Sequence, residues 1–169
     1  EMQGLNEHQI LSVVKHFPGQ GSSNGDTHQG SVDIDSSISK LRDLDFVPFK
    51  AGIDAGAEFV MVSHISVSRV TETKEPASMS ELIMKTILRE ELGFSGIVIT
   101  DAFDMASITD NYTPGEAALQ SFMAGADIIL MPNDLTQAYQ AILNAVNSKK
   151  ITQSRLDESV IRILTTKFK

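Results

Sequence analysis

The 169-residue sequence has no cysteine. It therefore holds no disulfide framework, no thiolate metal site and no thiol nucleophile, and it gives no reading of redox compartment. Basic residues are also scarce, 14 Lys and Arg against 22 Asp and Glu, for a net charge of −8. The largest basic feature is the pair Lys149-Lys150, so nothing is arranged to neutralise a phosphate backbone and nucleic acid is excluded as an expected partner. No apolar run approaches the roughly 18 residues of a membrane-spanning helix, and no charged-then-apolar signal segment is present. Subcellular location stays open. Glycine-rich phosphate fingerprints of the GxGxxG or GxxxxGK[ST] kind are missing after every apolar run, which lowers a nucleotide-binding reading.

What is present is a globular composition, 41% hydrophobic and 21% charged, read as a single domain over 1–169. Four short apolar runs, Leu11 to Val14, Phe59 to Val62, Ile97 to Thr100 and Ile128 to Met131, are continuous rather than alternating. That pattern predicts parallel strands covered on both faces. Helical patterns lie between them. Ser78 and Glu81 fit a capping box ahead of Met84, Ile87 and Leu88, with a stop at Gly93; Thr113, Pro114 and Glu116 open a second helix that closes at Gly125. Ala138, Ile142, Ala145 and Val146 mark a third, and Leu156, Val160, Ile163 and Leu164 a fourth after Thr152. The repeated strand, loop, helix order predicts βαβ units with right-handed crossovers. Four such units are half of a closed (β/α)₈ barrel, which takes about 250 residues; a small open doubly wound sheet is the alternative.

In parallel α/β folds, chemistry gathers at the carboxyl ends of the strands. Each run here ends in polar residues: Lys15-His16, Ser63-His64, Asp101, and Asn133-Asp134. Asp101, at the tip of the most apolar run, reads either as a nucleophile or charge stabiliser or as a helix N-cap, with Asp104 as a competitor in the following turn. Asp26 and His28 flank one residue on a long polar connection, 20–39. An extended Asp-Thr-His puts both side chains on one side, so the carboxylate can orient the imidazole for acid/base work. The alternatives are a solvated loop with a chance pairing, or a metal site requiring His16, Asp26, His28 or His64 to meet at one ion without any helical ligand spacing. Lys15 and His16 read as donors to an oxygen-rich ligand, and Phe17-Pro18-Gly19 as a rigid turn whose proline bond is open to cis.

Taken together, Lys15-His16-Phe17-Pro18-Gly19-Gln20-Gly21 with Asp26-Thr27-His28, then Pro76-Ala77-Ser78-Met79-Ser80, then Leu88 to Met105, closely resemble glycoside hydrolase family 3 in its β-N-acetylglucosaminidase branch. The similarity extends to Ala124 to Met131 and Arg155 to Val160. The resemblance implies Asp101 as catalytic nucleophile, His28 as general acid/base with Asp26 as its dyad partner, and Lys15 and His16 as sugar-binding residues; no metal or cofactor is implied. Gln20 stands where the family motif usually has His. The resemblance also implies the carboxyl-terminal half of a TIM barrel, its last four β/α units, without the upstream aspartate and arginine that hold sugar hydroxyls. Its expected partners are an amino-sugar glycoside and either the amino-terminal half-barrel or a second copy of the chain. The expected activity is a retaining exo-β-N-acetylhexosaminidase acting on peptidoglycan fragments or chitooligosaccharides, with bacterial cytoplasm and cell envelope or secretion all left open as its location. A phosphorylase or β-glucosidase of the same family, and an inactive half-barrel or sugar-binding module, are the alternatives.

Overall fold

Three short, nearly continuous apolar strands, each followed by a helix-forming segment, build a parallel sheet with helices packed on it. The computed structural model describes residues 2–21, 23 and 25–168; Ser22 and Asn24, within the polar connection, lie outside the described residues. The strands are β1 (Val13–Phe17), β2 (Phe59–Val62) and β3 (Ile97–Thr100), ordered β1-β2-β3 and all parallel. Val14, Val60 and Val98 stand in one register row, and Val60, Val62 and Val98 pack into the main core with Phe46, Phe49, Ile83, Met84, Ile87 and Leu88. Phe17 anchors it, stacked on Phe46 at 5.4 Å and edge-on to Phe49 at 5.1 Å.

Covering both faces was the expectation, and the second face is covered only in part. On it Ile97 is buried, while Phe59, Met61 and Ile99 are half-buried and Val13 is exposed. The outer edge of β1 has no pairing strand among the described residues, and Ile10, Leu11 and Val13 lie open along it. The continuous apolar runs thus report a face that the described residues cover only in part.

The first strand begins two residues later than predicted, so Lys15 and His16 lie within it. The register steps from Val14↔Val60 to Phe17↔Val62, three residues on β1 against two on β2. This is a bulge at the two polar residues, of the kind that re-aims side chains near a site. The Lys15-His16 and Phe17-Pro18 bonds are both cis. Gly19 follows at φ +125°, and a Cβ there would meet the Asp45 carboxylate at 2.7 Å, so only glycine fits the turn.

The fourth apolar run does not form a regular strand. It makes a parallel bridge, Ile99↔Ile128, and the Leu130 N–H then donates to the Thr100 hydroxyl at 3.0 Å. A side chain has taken the place a backbone carbonyl would hold, and Met131 turns away at φ 45°; among the described residues no strand lies beyond it to straighten the run.

Helix starts follow their chemistry in three cases. Thr113 and Glu116 form the reciprocal capping box of the Pro114–Ala124 helix. Asp134 caps Leu135–Asn147, and Thr152 caps Gln153–Lys167. The fourth start is different. The helix over Leu82–Glu91 winds with π geometry and has no side-chain cap, because Ser78 is wholly buried and spends its hydroxyl on His64. The stop at Gly93 (φ +74°) is as predicted.

Candidate active site

The carboxyl ends of the strands bring the polar tips together. Asp101 leaves β3 with its N–H donating to the Val62 carbonyl at 2.9 Å. Its Oδ1 accepts the Ala102 N–H at 2.9 Å. Its Oδ2 lies 3.8 Å from His16 Nε2, too long for a hydrogen bond, which leaves that oxygen available. The carboxylate is 15% exposed and the imidazole 27%. Burial lowers the His16 pKa, the Asp101 charge opposes that, and Lys15 and His28 add to the lowering. A neutral imidazole beside a carboxylate can both donate to and accept from a hydroxylated ligand. Asp101 therefore takes no N-cap role on a helix, whereas Asp134, the residue at the fourth tip, is used as one: its carboxylate accepts from the Gln137 N–H, which lowers its pKa. Asp104 is exposed in the turn after Asp101.

Asp26 and His28 pair as predicted, but on a turn rather than an extended segment, closed by the Gln29 N–H donating to the Asp26 carbonyl at 3.0 Å. Asp26 Oδ1 is 2.8 Å from His28 Nδ1 and also accepts the His28 backbone N–H at 2.9 Å; Gln29 donates to Oδ2 at 3.2 Å. The backbone hydrogen bond from His28 is the main cause of a lowered Asp26 pKa. The imidazole is 75% exposed, so its Nε2 edge stays open to a ligand, and its charge is felt at His16. The loop carrying the pair is tied down on both sides. Thr27 is buried, with its carbonyl accepting from Ser107 at a long 3.4 Å. On the other side, Val32 and Ile34 exchange backbone hydrogen bonds with Ser66 at 2.7 and 2.8 Å, and the Asp33 carboxylate accepts from Ser68 N–H and hydroxyl at 3.0 and 2.6 Å.

Lys15 is exposed on the bulge of β1. His64 is placed differently from the other histidines. It is 1% exposed, with Nδ1 2.8 Å from the Ser78 hydroxyl and Nε2 2.9 Å from the Ala102 carbonyl. Both ring nitrogens are committed within the protein, so it has no lone pair for a metal, and burial holds its pKa below the usual value. Among the described residues, no three His, Asp or Glu side chains gather as metal ligands would.

Reading the sequence did not single out one further group. Asp127 opens the fourth apolar run, and its carboxylate is completely buried. Oδ2 accepts from Arg89 at 2.7 Å and the Val98 N–H at 3.0 Å, and Oδ1 accepts from Ser159 at 2.5 Å and Arg162 at 3.0 Å. Arg155 stands 3.8 Å away, stacked on Phe122. A lone carboxylate opening an apolar run was the available signal. The cluster sits at the amino end of the sheet, away from the polar tips.

Residues 1–166 match the model of the glycosyl hydrolase family 3 N terminal domain. A relative named Beta-hexosaminidase A, from Pseudoalteromonas piscicida, is 36% identical over 95% of the chain and 30% of its own length. The solved structure of a glycoside hydrolase family 3 beta-N-acetylglucosaminidase from Paenibacillus sp. str. FPU-7 superposes with a TM-score of 0.93 at 35% identity, covering 98% of the chain and 32% of that protein. A beta-glucoside phosphorylase, BglX, bound to 2FGlc, superposes at 0.91 with 32% identity, over 98% and 31%. The chain spans about a third of the length of these relatives.

Proposed function

The chain belongs to glycosyl hydrolase family 3, and from that premise we propose that it carries the reacting groups of a retaining exo-β-N-acetylhexosaminidase. The observation that carries the reading is a division of labour. One carboxylate, Asp101, has a free oxygen at a strand tip, and a separate hydrogen-bonded Asp26–His28 pair sits on a loop tied across the same end of the sheet.

The chemistry follows from those groups. The Asp101 carboxylate attacks the anomeric carbon of a terminal N-acetylglucosamine while protonated His28 gives its proton to the departing glycosidic oxygen. The C–O bond to the aglycone breaks, and a glycosyl ester on Asp101 forms. His28, now neutral, then takes a proton from water as the water oxygen attacks the same carbon, and Asp101 leaves as carboxylate. Two displacements give net retention, with a histidine in place of the usual second carboxylate. Asp26 holds Nδ1 and stabilises the imidazolium of the first step. Lys15 and His16 bind the sugar hydroxyls. Peptidoglycan fragments and chitooligosaccharides are the proposed substrates.

We place these four β/α segments as half of a (β/α)₈ barrel. The partly covered face with Phe59, Met61 and Ile99 supports this, as do the open edges along β1 and along Ile128 to Met131, since a sheet edge with unpaired backbone groups calls for a neighbouring strand. The further units supply the rest of the sugar pocket, from the amino-terminal half-barrel or a second copy.

Turnover of an aryl N-acetylglucosaminide, followed by NMR of the first-formed anomer, tests the reading: the β anomer is expected, and the α anomer contradicts it. The kinship to a beta-glucoside phosphorylase favours a second reading, in which phosphate replaces water in the second step. An N-acetylglucosamine phosphate product that appears only with added phosphate would establish that alternative. A demonstrably monomeric sample of the chain with full turnover would overturn the need for further barrel units.

A further inference from the structure

We infer that His64 is a positioning residue that holds the Asp101 carboxylate in its attacking orientation; this rests on the proposed role of Asp101 as nucleophile. The Asp101–Phe103 segment is held from outside the turn at three points: Asp101 N–H to the Val62 carbonyl, His64 to the Ala102 carbonyl, and Phe103 N–H to the Leu130 carbonyl at 3.0 Å; within the turn the Ala102 carbonyl also accepts the Met105 N–H at a longer 3.3 Å. Two are backbone contacts, one to the end of β2 and one to the run that follows Ile128. His64 is the side chain among them, and its reach sets where Ala102 sits.

The direction of each hydrogen bond follows from the partners. A carbonyl only accepts, so Nε2 must carry a proton toward Ala102, and in the neutral ring Nδ1 must then accept from the Ser78 hydroxyl. Ser78 is fully buried and its hydroxyl defines the tautomer. The relay runs from Ser78 O–H to His64 Nδ1, from His64 Nε2–H to the Ala102 carbonyl, and from the Ala102 N–H to Asp101 Oδ1. With Oδ1 held by that N–H, Oδ2 is directed toward His16 and the open end of the sheet. Phe103 packs edge-on to the imidazole at 5.2 Å and prevents the ring from turning. The adjacent residue works in the opposite direction: Ser63 N–H and hydroxyl both donate to the Phe17 carbonyl, at 2.8 and 3.2 Å. The tip of β2 thus braces the sugar-binding turn on one side and the nucleophile on the other, and contributes no group to the reaction itself.

The test is amide hydrogen exchange with steady-state kinetics on the intact protein, for wild type, His64→Leu, His64→Gln and Ser78→Ala. In H64L, exchange at Ala102 should rise about tenfold or more while Thr100, whose N–H bonds to Ile128 without help from His64, stays within about twofold. kcat should fall about tenfold to a hundredfold with KM held within about twofold, as expected of a misaimed reacting group. H64Q keeps a side-chain N–H and should recover much of both. Should H64L fail to fold, S78A decides: faster exchange at Ala102 alone supports the brace. Unchanged exchange at Ala102, or a parallel rise at Thr100, overturns it in either variant. Absence of glycosidase activity in the wild type would defeat the functional proposal, and the exchange comparison would still decide the brace.

Discussion

Two aspartates at opposite ends of the same short sheet show how differently one residue type can be used. Asp127, at the amino end, is wholly buried, and both of its oxygens are filled by Arg89, Arg162, Ser159 and the Val98 N–H. Asp101, at the carboxyl end, is partly exposed, takes one backbone N–H, and keeps its second oxygen 3.8 Å from a half-buried histidine. A carboxylate with every lone pair occupied is a structural post. One with an oxygen left over, held by a backbone donor and aimed at an open surface, is available for chemistry. The surrounding cations follow the same contrast: burial lowers the pKa of Arg89 and Arg155 while Asp127 opposes it, so the amino-end cluster depends on its buried anion, with Glu158 at the rim 3.9 Å from Arg162.

Breaking the comparison starts with Asp101→Asn. Glycoside turnover should fall by about ten-thousand-fold or more, as when a nucleophile is removed, while Tm in thermal unfolding stays within about 2 °C. Next is Asp127→Ala, which leaves three arginines facing one another. The expected cost is about 3–5 kcal/mol of stability, read as a drop in Tm of about 10 °C or more; loss of activity with unchanged Tm would reverse the two assignments. His28→Ala should cost about a hundredfold to a thousandfold on substrates with poor leaving groups. That loss should shrink for activated aryl glycosides, which need little protonation, and Asp26→Asn should show the same trend less strongly.

The smallest expected effect is in pH. His64 has its pKa lowered from 6.5 by burial, so the unfolded chain binds the proton more readily than the folded one. The stability it contributes is complete above pH 6.5 and is lost as pH falls toward the folded value, at no more than about 1.4 kcal/mol per pH unit. His16, shifted the same way, adds to the slope. Denaturant melts of wild type and His64→Gln between pH 7.5 and 5 should show a shallower slope in the variant; identical slopes would mean that His64 is not held neutral.

Much of this was legible in the sequence, for identifiable reasons. The second and third strands, the approximate place of the first, and two helix starts are written in local chemistry: apolar runs, Thr113 with Glu116, and Thr152; Asp134 read as a strand tip and proved to be a helix cap. The Asp26–His28 pair was readable because both partners lie two residues apart. What escaped depends on contacts far apart in the chain. Ser78 has the spacing of a capping box, yet a histidine 14 residues away takes its hydroxyl. The fourth strand was lost to the Thr100 side chain, and Asp127 gains meaning only when residues from 89, 98, 159 and 162 arrive around it.

The central claim, that Asp101 is the carboxylate that reacts, is tested most directly by trapping. Incubation of the active protein with a mechanism-based fluorosugar, followed by peptide mass mapping, should place one sugar adduct on the peptide at Asp101. An adduct on any other carboxylate, or continued turnover with Asp101 unlabelled, would contradict it.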